Sequence, residues 1–220
     1  MRPTTLDAGS IRLRPFRGSD IDWLYRVSLD PGLRRYIDLP SPYRRSDAAD
    51  FVERVTVEGW ANGTRAEFLT EDAATGCRLG RVGLHLRDDR TAEIGYWAAP
   101  EARARGVTSG AVAAVCRWAF AEAGIDLIEW RAEVGNHASR RVAEKVGFHI
   151  EGVLRQRLRH GTERADAWVG SLLPAEVTAP APSRGSWPET ASAQPWPAWC
   201  GETASSDATG RTTAADDGPS

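Results

Sequence analysis

The apolar residues of this 220-residue chain recur at every second position in three consecutive segments, 66–71, 78–86 and 91–98. That spacing is typical of strands that bury one face, and turn signals at 72–76 and 88–90 separate the segments. Three such strands joined by short turns predict an antiparallel meander. The chain must therefore adopt a fold that contains a sheet.

Strands and helices are predicted on both sides of the meander. They are a strand at 11–16, helices at 19–30 and 46–62, a helix that ends at 124, a strand at 127–134, a helix at 137–147 and two strands that flank 160–161. The order βααβββαβαββ predicts an α/β or α+β fold, with a mixed sheet and helices on both faces. Cys116 lies on the apolar stripe of the helix that ends at 124, which predicts that it is in the core.

The composition, 41% apolar and 26% charged, is that of a globular protein. No apolar run approaches the roughly 20 residues of a transmembrane helix, and no signal-peptide pattern follows Met1, so we expect a cytoplasmic protein with no membrane partner. The net charge of −2 does not favour a nucleic-acid partner. The cysteines and histidines are too widely spaced to indicate a metal site, and none is expected.

The composition changes after Pro174. From 175 to 220, Ala, Pro, Ser, Thr and Gly supply 32 of 46 residues, without helical or strand periodicity. Such a segment lacks the apolar surface that a core needs, so we predict a folded domain at 1–174 and a disordered tail at 175–220. Two interpretations stay open for the large apolar and thiol residues of the tail, a short docking segment or no selected role: Trp187, Trp196, Trp199 and Cys200.

An Arg- and Gly-containing loop joins the strand at 91–98 to the next helix. It contains Arg103, Arg105 and Gly106 directly before the helix. Unpaired N–H groups and the positive end of the helix dipole converge at such a point, which suits a phosphate group. Gly106 permits close backbone approach, and the arginines add positive charge. An ordinary strand-to-helix turn is the alternative interpretation of this loop taken alone.

A second strand-to-helix junction lies at 134–139. Asn136 and Ser139 open the helix, and each has a purely structural interpretation, as an N-cap and as a first-turn residue. Together with the run Glu-Lys-Val-Gly-Phe at 144–148, the two junctions resemble the GNAT superfamily of acyl-CoA-dependent N-acetyltransferases. The resemblance covers about 11–173 and is closest to the branch that contains the ribosomal-protein N-terminal acetyltransferases RimJ and RimL.

This resemblance implies a GNAT fold with acetyl-CoA as cosubstrate. The pyrophosphate loop of the family follows the pattern Q/R-x-x-G-x-G/A, which 103–108 match except at Thr108, and Ala104 stands where many relatives have Gly. The acetyl group would lie between the strands at 91–98 and 127–134, with a backbone N–H near Trp97 or Ala98 facing its carbonyl. The implied cofactor-binding residues are Trp97, Ala98, Arg103, Arg105, Gly106, Val107, Thr108, Ser109 and, on the pantetheine arm, Asn136.

The same resemblance implies two catalytic side chains. Glu93 would act as the general base through water, and its alternative interpretation is a solvated strand carboxylate. Ser139 would protonate the departing thiolate, because some relatives use a tyrosine at the position that is Ala143 here, whereas the branch with N-x-x-S uses serine. An amine attacks a thioester directly, so the enzyme must gather two reactants, remove one proton and stabilise an oxyanion.

The acceptor would be a primary amine, either a small molecule or a protein N-terminus. The segment 38–42, with Tyr36 and Tyr43, would border its site or pack only as a loop. The resemblance allows a monomer or a homodimer. The competing hypothesis is a catalytically impaired acyl-CoA-binding module with an interaction or regulatory role, motivated by Thr108 and Ala143.

Overall fold

An eight-stranded mixed sheet forms the centre of the protein in a computed structural model that describes residues 1–178. Its strands are β1 (Leu6–Ala8), β2 (Ile11–Pro15), β3 (Arg65–Asp72), β4 (Arg78–Leu86), β5 (Thr91–Ala98), β6 (Leu127–Glu133), β7 (His149–His160) and β8 (Glu163–Leu172). They are arranged in the order β1-β2-β3-β4-β5-β6-β8-β7, antiparallel throughout except for the parallel pair β5 and β6. The mixed sheet and the antiparallel meander β3-β4-β5 are thus confirmed.

Helices cover both faces of the sheet. They are α1 (Ile21–Val27), α2 (Pro31–Arg34), α3 (Arg45–Asp50), α4 (Thr56–Asn62), α5 (Val107–Ala121) and α6 (His137–Val146). The ring of Trp97 on β5 stacks on Trp23 of α1, whereas the hydroxyl of the preceding residue, Tyr96, reaches Ser139 of α6. Because successive side chains of a strand point to opposite faces, α1 and α6 lie on opposite sides of the sheet.

The long helix α5 packs against the centre of the sheet, on β4 and β5. Its apolar stripe is completely buried at Val112, Val115 and Cys116, and Cys116 is a free thiol in the core, as predicted. Burying an aliphatic side chain contributes about 1.5–3 kcal/mol, so this stripe fixes α5 on the sheet. The ends of α5 are set by Gly106 and Gly124, whose φ angles of 76° and 71° are left-handed.

Two short elements were not predicted. Strand β1 extends the sheet at its edge, where Leu6 pairs with Leu13 of β2. Helix α2 begins where the Asp-Pro-Gly sequence at 30–32 predicts only the end of a helix. The Asp30 carboxylate accepts a hydrogen bond from Leu33 N at 2.8 Å, so this residue caps a new helix whose first position is proline. The same residues that end one helix therefore start another.

The helix predicted at 46–62 is interrupted. Its two parts, α3 and α4, are joined by a π-helical turn, Phe51–Val55. Thr56 Oγ1 donates to Val52 O at 2.9 Å across this turn. Val52 and Thr56 are buried, whereas Phe51 and Val55 are only half-buried. Phe51 packs against the edge of the core, where its ring contacts Phe16 edge to face.

A buried ion-pair cluster fastens the start of α1 to the sheet. Arg14 donates to both oxygens of Asp20, at 2.7 and 3.0 Å, and to Glu71 at 2.7 Å, and Arg78 donates to Asp20 at 2.7 Å. Burial alone would raise the pKa of Asp20, but the hydrogen bonds from the two arginines outweigh it and hold the pKa below its ordinary value of 3.8. The Asp20 carboxylate is therefore an anion in the native protein at neutral pH.

The chain after β8 crosses the end of α6. A 3₁₀ turn at Pro174–Glu176 leads to Thr178, whose N–H donates to Val146 O at 3.0 Å. The predicted docking segment and the rest of the predicted tail from 179 onward lie outside the described residues. No helix within 1–178 has the length and apolar character needed to cross a membrane.

Candidate functional site

The strands β5 and β6 separate halfway along their length. They pair from Thr91–Leu127 to Ile94–Trp130 and no further, although β5 continues to pair with β4 and β6 with β8. We call the opening between 95–98 and 131–133 the β5–β6 gap. Backbone groups that would pair inside a continuous sheet face this gap instead, where a ligand can use them.

The register of β4 and β5 identifies which N–H groups face the gap. Arg87 N donates to Thr91 O and Ala99 N donates to Leu79 O, each at 2.9 Å, so odd-numbered residues of β5 exchange hydrogen bonds with β4. The alternate residues point their backbone groups to the other side. Of the two predicted positions, the N–H of Ala98 therefore faces the gap, whereas that of Trp97 is directed to β4.

Ser139 lies at the gap in a network of aromatic partners. Trp130 Nε1 donates to Ser139 Oγ at 3.1 Å, and the Tyr96 hydroxyl donates to Ser139 O at 2.9 Å. Because an indole N–H is only a donor, the Ser139 hydroxyl acts as the acceptor in that bond and keeps its own proton for another partner. Burial raises the pKa of Tyr96 far above its ordinary value of 10, so Tyr96 remains a donor. The sequence did not indicate this role for Tyr96 or Trp130.

Asn136 has the structural role that the sequence left open. It is the N-cap of α6, and its Oδ1 accepts a hydrogen bond from Ser139 N at 3.1 Å. The preceding Gly135 has a φ of 103° and turns the chain from β6 into the helix. The cap uses only the oxygen of the Asn136 amide, so its NH₂ group stays available as a donor beside the gap.

The 103–109 loop places the N-terminus of α5 at the same end of the sheet. The first hydrogen bond of the helix runs from Gly110 N to Gly106 O at 3.3 Å. The N–H groups of the three residues between them, Val107, Thr108 and Ser109, precede that bond and point out of the helix end. The Ser109 hydroxyl donates to Gly106 O at 2.9 Å, so it stabilises the turn itself.

The left-handed positions of this loop explain two features of its sequence. Gly106 has a φ of 76° and Ala104 a φ of 61°, so the glycine that many relatives carry at position 104 suits its backbone better than alanine. Thr108 has no such conformation, and its β-branched side chain therefore causes no backbone strain. Arg103 forms a close ion pair with Asp30, the N-cap of α2, and thereby ties the loop to that helix.

Glu93 lies in a network of four charges on the face of the sheet that carries Trp97. Its Oε2 is 3.0 Å from Arg87 Nη2 and 3.1 Å from Arg131 Nη1. Glu129, its register neighbour on β6, contacts the same two arginines at 3.0 and 2.9 Å. Glu93 is thus an ion-paired carboxylate, and within residues 1–178 its Oε1 accepts no hydrogen bond.

The face of the sheet beside Glu93 is open at Gly95, the next residue on this face, where an added Cβ would meet no atom within 4 Å. We call this open space the trough. A cavity lies further along the same face. The cavity has a volume of about 290 Å³ and opens between α1, α2, α3 and the sheet, with Trp97 in its wall. We call it the α1–α3 cavity. The cavity is mostly apolar, and its lining includes Leu24, Leu33, Ile37, Leu39, Pro40, Tyr43, Phe51 and Val55.

The segment predicted to border an acceptor site is divided by the structure. Leu39, Pro40 and Tyr43 line the α1–α3 cavity. Tyr36 is exposed beneath the Arg35 guanidinium, and Asp38 accepts a hydrogen bond from Gly161 N at 3.3 Å. Tyr36 and Asp38 are therefore part of the surface where the β7–β8 hairpin meets the segment after α2, outside the cavity wall.

A buried ion pair that sequence reasoning missed forms part of the cavity wall. Arg81 lines the cavity, and its Nε and Nη2 each donate to the buried carboxylate of Glu67 at 2.7 Å. Burial alone would raise the pKa of Glu67, but the charge of Arg81 and the hydrogen bonds from His85 and Arg81 outweigh it and hold the pKa below 4.5. The two residues are on different strands, 14 positions apart, so no local pattern could indicate the pair.

The acetyltransferase (GNAT) domain family matches the chain over residues 10–149, which include both helix junctions. The chain is 33% identical over 137 residues to the "Putative ribosomal N-acetyltransferase YdaF" of Bacillus subtilis, covering 59% of this chain and 73% of that protein. Within residues 1–178, no group of three or more His, Cys, Asp or Glu side chains could hold a metal ion.

Solved structures share the fold. Mycobacterium smegmatis RimJ in complex with CoA-disulfide has a TM-score of 0.73 and 23% sequence identity, covering 82% of this chain and 94% of that one. RimL, described as a ribosomal L7/L12 alpha-N-protein acetyltransferase in complex with coenzyme A, has a TM-score of 0.71 and 18% identity, covering 77% and 98%.

Proposed function

Since the chain belongs to the GNAT acetyltransferase family, it is an N-acetyltransferase that uses acetyl-CoA, and we propose that its acceptor is a primary amine. The acceptor is a small-molecule amine or a protein N-terminus, and it attacks the thioester directly in a ternary complex. The name of RimL, an alpha-N-protein acetyltransferase, supports the second kind of acceptor. The observation that carries the proposal is the β5–β6 gap, with the N-termini of α5 and α6 both beside it.

The two helix junctions hold acetyl-CoA in this proposal. The outward N–H groups of Val107, Thr108 and Ser109 and the dipole of α5 bind the pyrophosphate, and Gly106 lets the backbone approach it. Arg103 and Arg105 add positive charge there. The NH₂ group of Asn136 donates to the pantetheine arm, which runs along the gap. The gap-facing N–H of Ala98 donates to the thioester carbonyl, beside the wall formed by Trp97.

Three groups then act on the reacting atoms. Glu93 Oε1 accepts the proton of the ammonium through a water in the trough at Gly95, and the amine nitrogen bonds to the carbonyl carbon. The N–H of Ala98 stabilises the negative charge on the carbonyl oxygen. As the tetrahedral intermediate collapses, the carbon–sulfur bond breaks and Ser139 donates its proton to the thiolate. The acylated nitrogen gives up its remaining extra proton, which passes through water to the Ser139 oxygen and restores the hydroxyl. The orientation of the Ser139 hydroxyl, set by the donor Trp130, supports this step.

The test is acetyl transfer by the full chain to a panel of amines, followed by thiol release and by mass of the N-acetyl product. Ser139→Ala should lower kcat about 100-fold, the smaller end of the usual contribution of general acid–base catalysis. Acetyl-CoA affinity, measured by calorimetry, should stay unchanged. Ser46→Ala, in the exposed first turn of α3, is the matched control and should keep the wild-type kcat. A Ser139→Ala enzyme with full kcat would exclude this role.

The role of Glu93 has its own test, because Oε2 of this carboxylate already contacts two guanidinium groups. Product formation that falls in Glu93→Gln, with acetyl-CoA affinity unchanged, would support Glu93 as the general base. Equal turnover in the wild type and in Glu93→Gln would exclude it.

A further inference from the structure

Arg81 brings a charged hydrogen-bond donor into a mostly apolar cavity, next to the proposed reaction centre. It is the direct register partner of Trp97, which lines the same cavity. The Cα atoms of such a hydrogen-bonded pair lie about 5.5 Å apart, so Arg81 is one strand away from the backbone that borders the β5–β6 gap. An acceptor that reaches the gap through the cavity must pass this side chain.

The guanidinium of Arg81 is fixed in place. Glu67 binds Nε and Nη2, and the Phe51 ring lies 5.5 Å from the guanidinium carbon. An added Cβ at Gly83 would collide with Glu67 and Arg81, so the glycine leaves the space that the pair occupies. Within residues 1–178, Nη1 of Arg81 takes part in no hydrogen bond or ion pair. Two N–H groups in a rigid position are therefore available to a ligand.

The charges near Arg81 favour a neutral or anionic oxygen as its partner. Glu67 compensates the charge of the guanidinium, but its oxygens face Nε and Nη2 and leave Nη1 positive. The other charged residues of the cavity lining, Asp47 and Asp50, are already engaged, with Arg44 N at 2.6 Å and with the Arg54 side chain at 2.6 Å. The cavity thus offers Nη1 of Arg81 as a cationic donor beside a large apolar surface.

We propose that Arg81 determines acceptor specificity by donating from Nη1 to the carbonyl oxygen of an α-amino-acyl group with an apolar side chain. The amine of this group attacks the thioester, the carbonyl oxygen three bonds away accepts from Arg81, and the side chain fills the α1–α3 cavity. This inference rests on the proposed function. An α-amine also gives up its proton more readily than a lysine amine. The ordinary pKa of an α-amine is about 8, whereas that of a lysine amine is about 10.4.

The inference is tested by binding, which needs no turnover. The full chain, saturated with coenzyme A, is titrated in a calorimeter with phenylalaninamide, with phenethylamine, which lacks the carbonyl group, and with glycinamide, which lacks the side chain. Phenylalaninamide should bind at least tenfold more tightly than either, the usual effect of one charge-assisted hydrogen bond or of one buried ring. Equal affinity of phenylalaninamide and phenethylamine would overturn the inference.

Variants assign the effect to Arg81. Arg81→Met alone leaves the Glu67 anion buried without its partner, so the double variant Glu67→Gln/Arg81→Met, which removes both charges, is measured as well. In the double variant, the preference for phenylalaninamide over phenethylamine should fall below about threefold. Arg65→Met is the matched control, because Arg65 contacts Glu67 at 3.9 Å from the outer side and does not line the cavity.

The outcomes separate this inference from the proposed function. A preference that persists in the double variant overturns the inference, and so does tighter binding of a diamine such as putrescine. Loss of the preference in the double variant, with coenzyme A affinity intact and Arg65→Met unchanged, supports it. The proposed function fails independently if no N-acetyl product forms from acetyl-CoA and any of these amines.

Discussion

The two sides of the β5–β6 gap are built in opposite ways. The cofactor side, formed by the 103–109 loop and the first turns of α5 and α6, presents backbone N–H groups from two short continuous stretches of chain. The α1–α3 cavity is formed by side chains from α1, α2, α3, the π-helical turn, β4 and β5, which are spread over 24–97. Backbone makes one side and side chains make the other.

This difference predicts how each side responds to change. A backbone site depends on local conformation, so it fails when one residue cannot adopt a left-handed φ. A side-chain site depends on how separate elements are held together, so it fails when a distant ion pair breaks. Variants that break one side and spare the other therefore test the comparison directly.

The largest effect is expected at Asp20, which holds α1 and therefore the cavity. Asp20→Asn leaves the guanidinium groups of Arg14 and Arg78 in the core without their carboxylate, which should lower the free energy of unfolding by about 3–5 kcal/mol. Denaturant unfolding measures this loss. Asp22→Asn, two residues later on the exposed surface beside Arg45, is the matched control and should leave the unfolding midpoint close to that of the wild type.

The stability of the protein at low pH should reveal the same dependence on the Asp20 carboxylate. The pKa of Asp20 is lower in the folded protein than in the unfolded chain, so its contribution is complete above pH about 4 and is lost as the pH falls through the folded value. The pKa of Glu67 is shifted in the same direction. Wild-type stability should therefore fall below pH 4, and the fall should be shallower in Asp20→Asn. Parallel pH curves for the two proteins would contradict this account.

The next effect is expected on the cofactor side, at Gly106. Valine at a φ of 76° is strained by its β-branch, and relief of the strain turns the N–H groups of the loop away from the phosphate. Gly106→Val should raise the Kd of acetyl-CoA at least tenfold in a calorimetric titration. Gly124→Val introduces the same strain at the other end of α5, where φ is 71°, and should cost stability without changing the Kd. If Gly106→Val and Gly124→Val lost acetyl-CoA affinity equally, the loss would come from strain in α5 and not from the phosphate-facing N–H groups of the loop.

The fold was largely predictable because its long elements carry their own periodicity. In α5 and in the three strands of the meander the apolar period is repeated several times, so a single irregular residue does not hide it. β1 is only three residues long and offers no period. Asp30 was misinterpreted because a capping aspartate followed by proline is consistent with the end of one helix and with the start of the next. Short elements are decided by such single contacts.

The site was predictable only where it is local. The cofactor side lies in two continuous motifs, so the sequence indicates Gly106 and Asn136, although their roles remain proposals. The cavity depends on residues brought together by the sheet register, and no spacing pairs Glu67 with Arg81 or directs Tyr96 to Ser139. The register also decides that Ala98, and not Trp97, presents its N–H to the gap. These contacts and backbone directions can be known only from the three-dimensional fold.

The smallest effect is expected at Ala104, where the cofactor side carries strain that a single substitution can remove. Its φ of 61° costs an L-residue about 1–2 kcal/mol, and part of the gain from glycine is offset by greater freedom of the unfolded chain. Ala104→Gly should therefore stabilise the protein by about 0.5 kcal/mol and change the Kd of acetyl-CoA less than about threefold.

Ala102→Gly, two residues earlier in the chain, is the matched control for Ala104→Gly. Ala102 is buried in the 3₁₀ turn before the loop and has no left-handed φ. Glycine there should destabilise the protein by about 0.5–1 kcal/mol, because it loses more backbone entropy on folding. Unfolding curves of the two variants should therefore shift in opposite directions. A shift of the same sign would mean that the backbone of the cofactor side is not set residue by residue, and the contrast with the side-chain-built cavity would then fail.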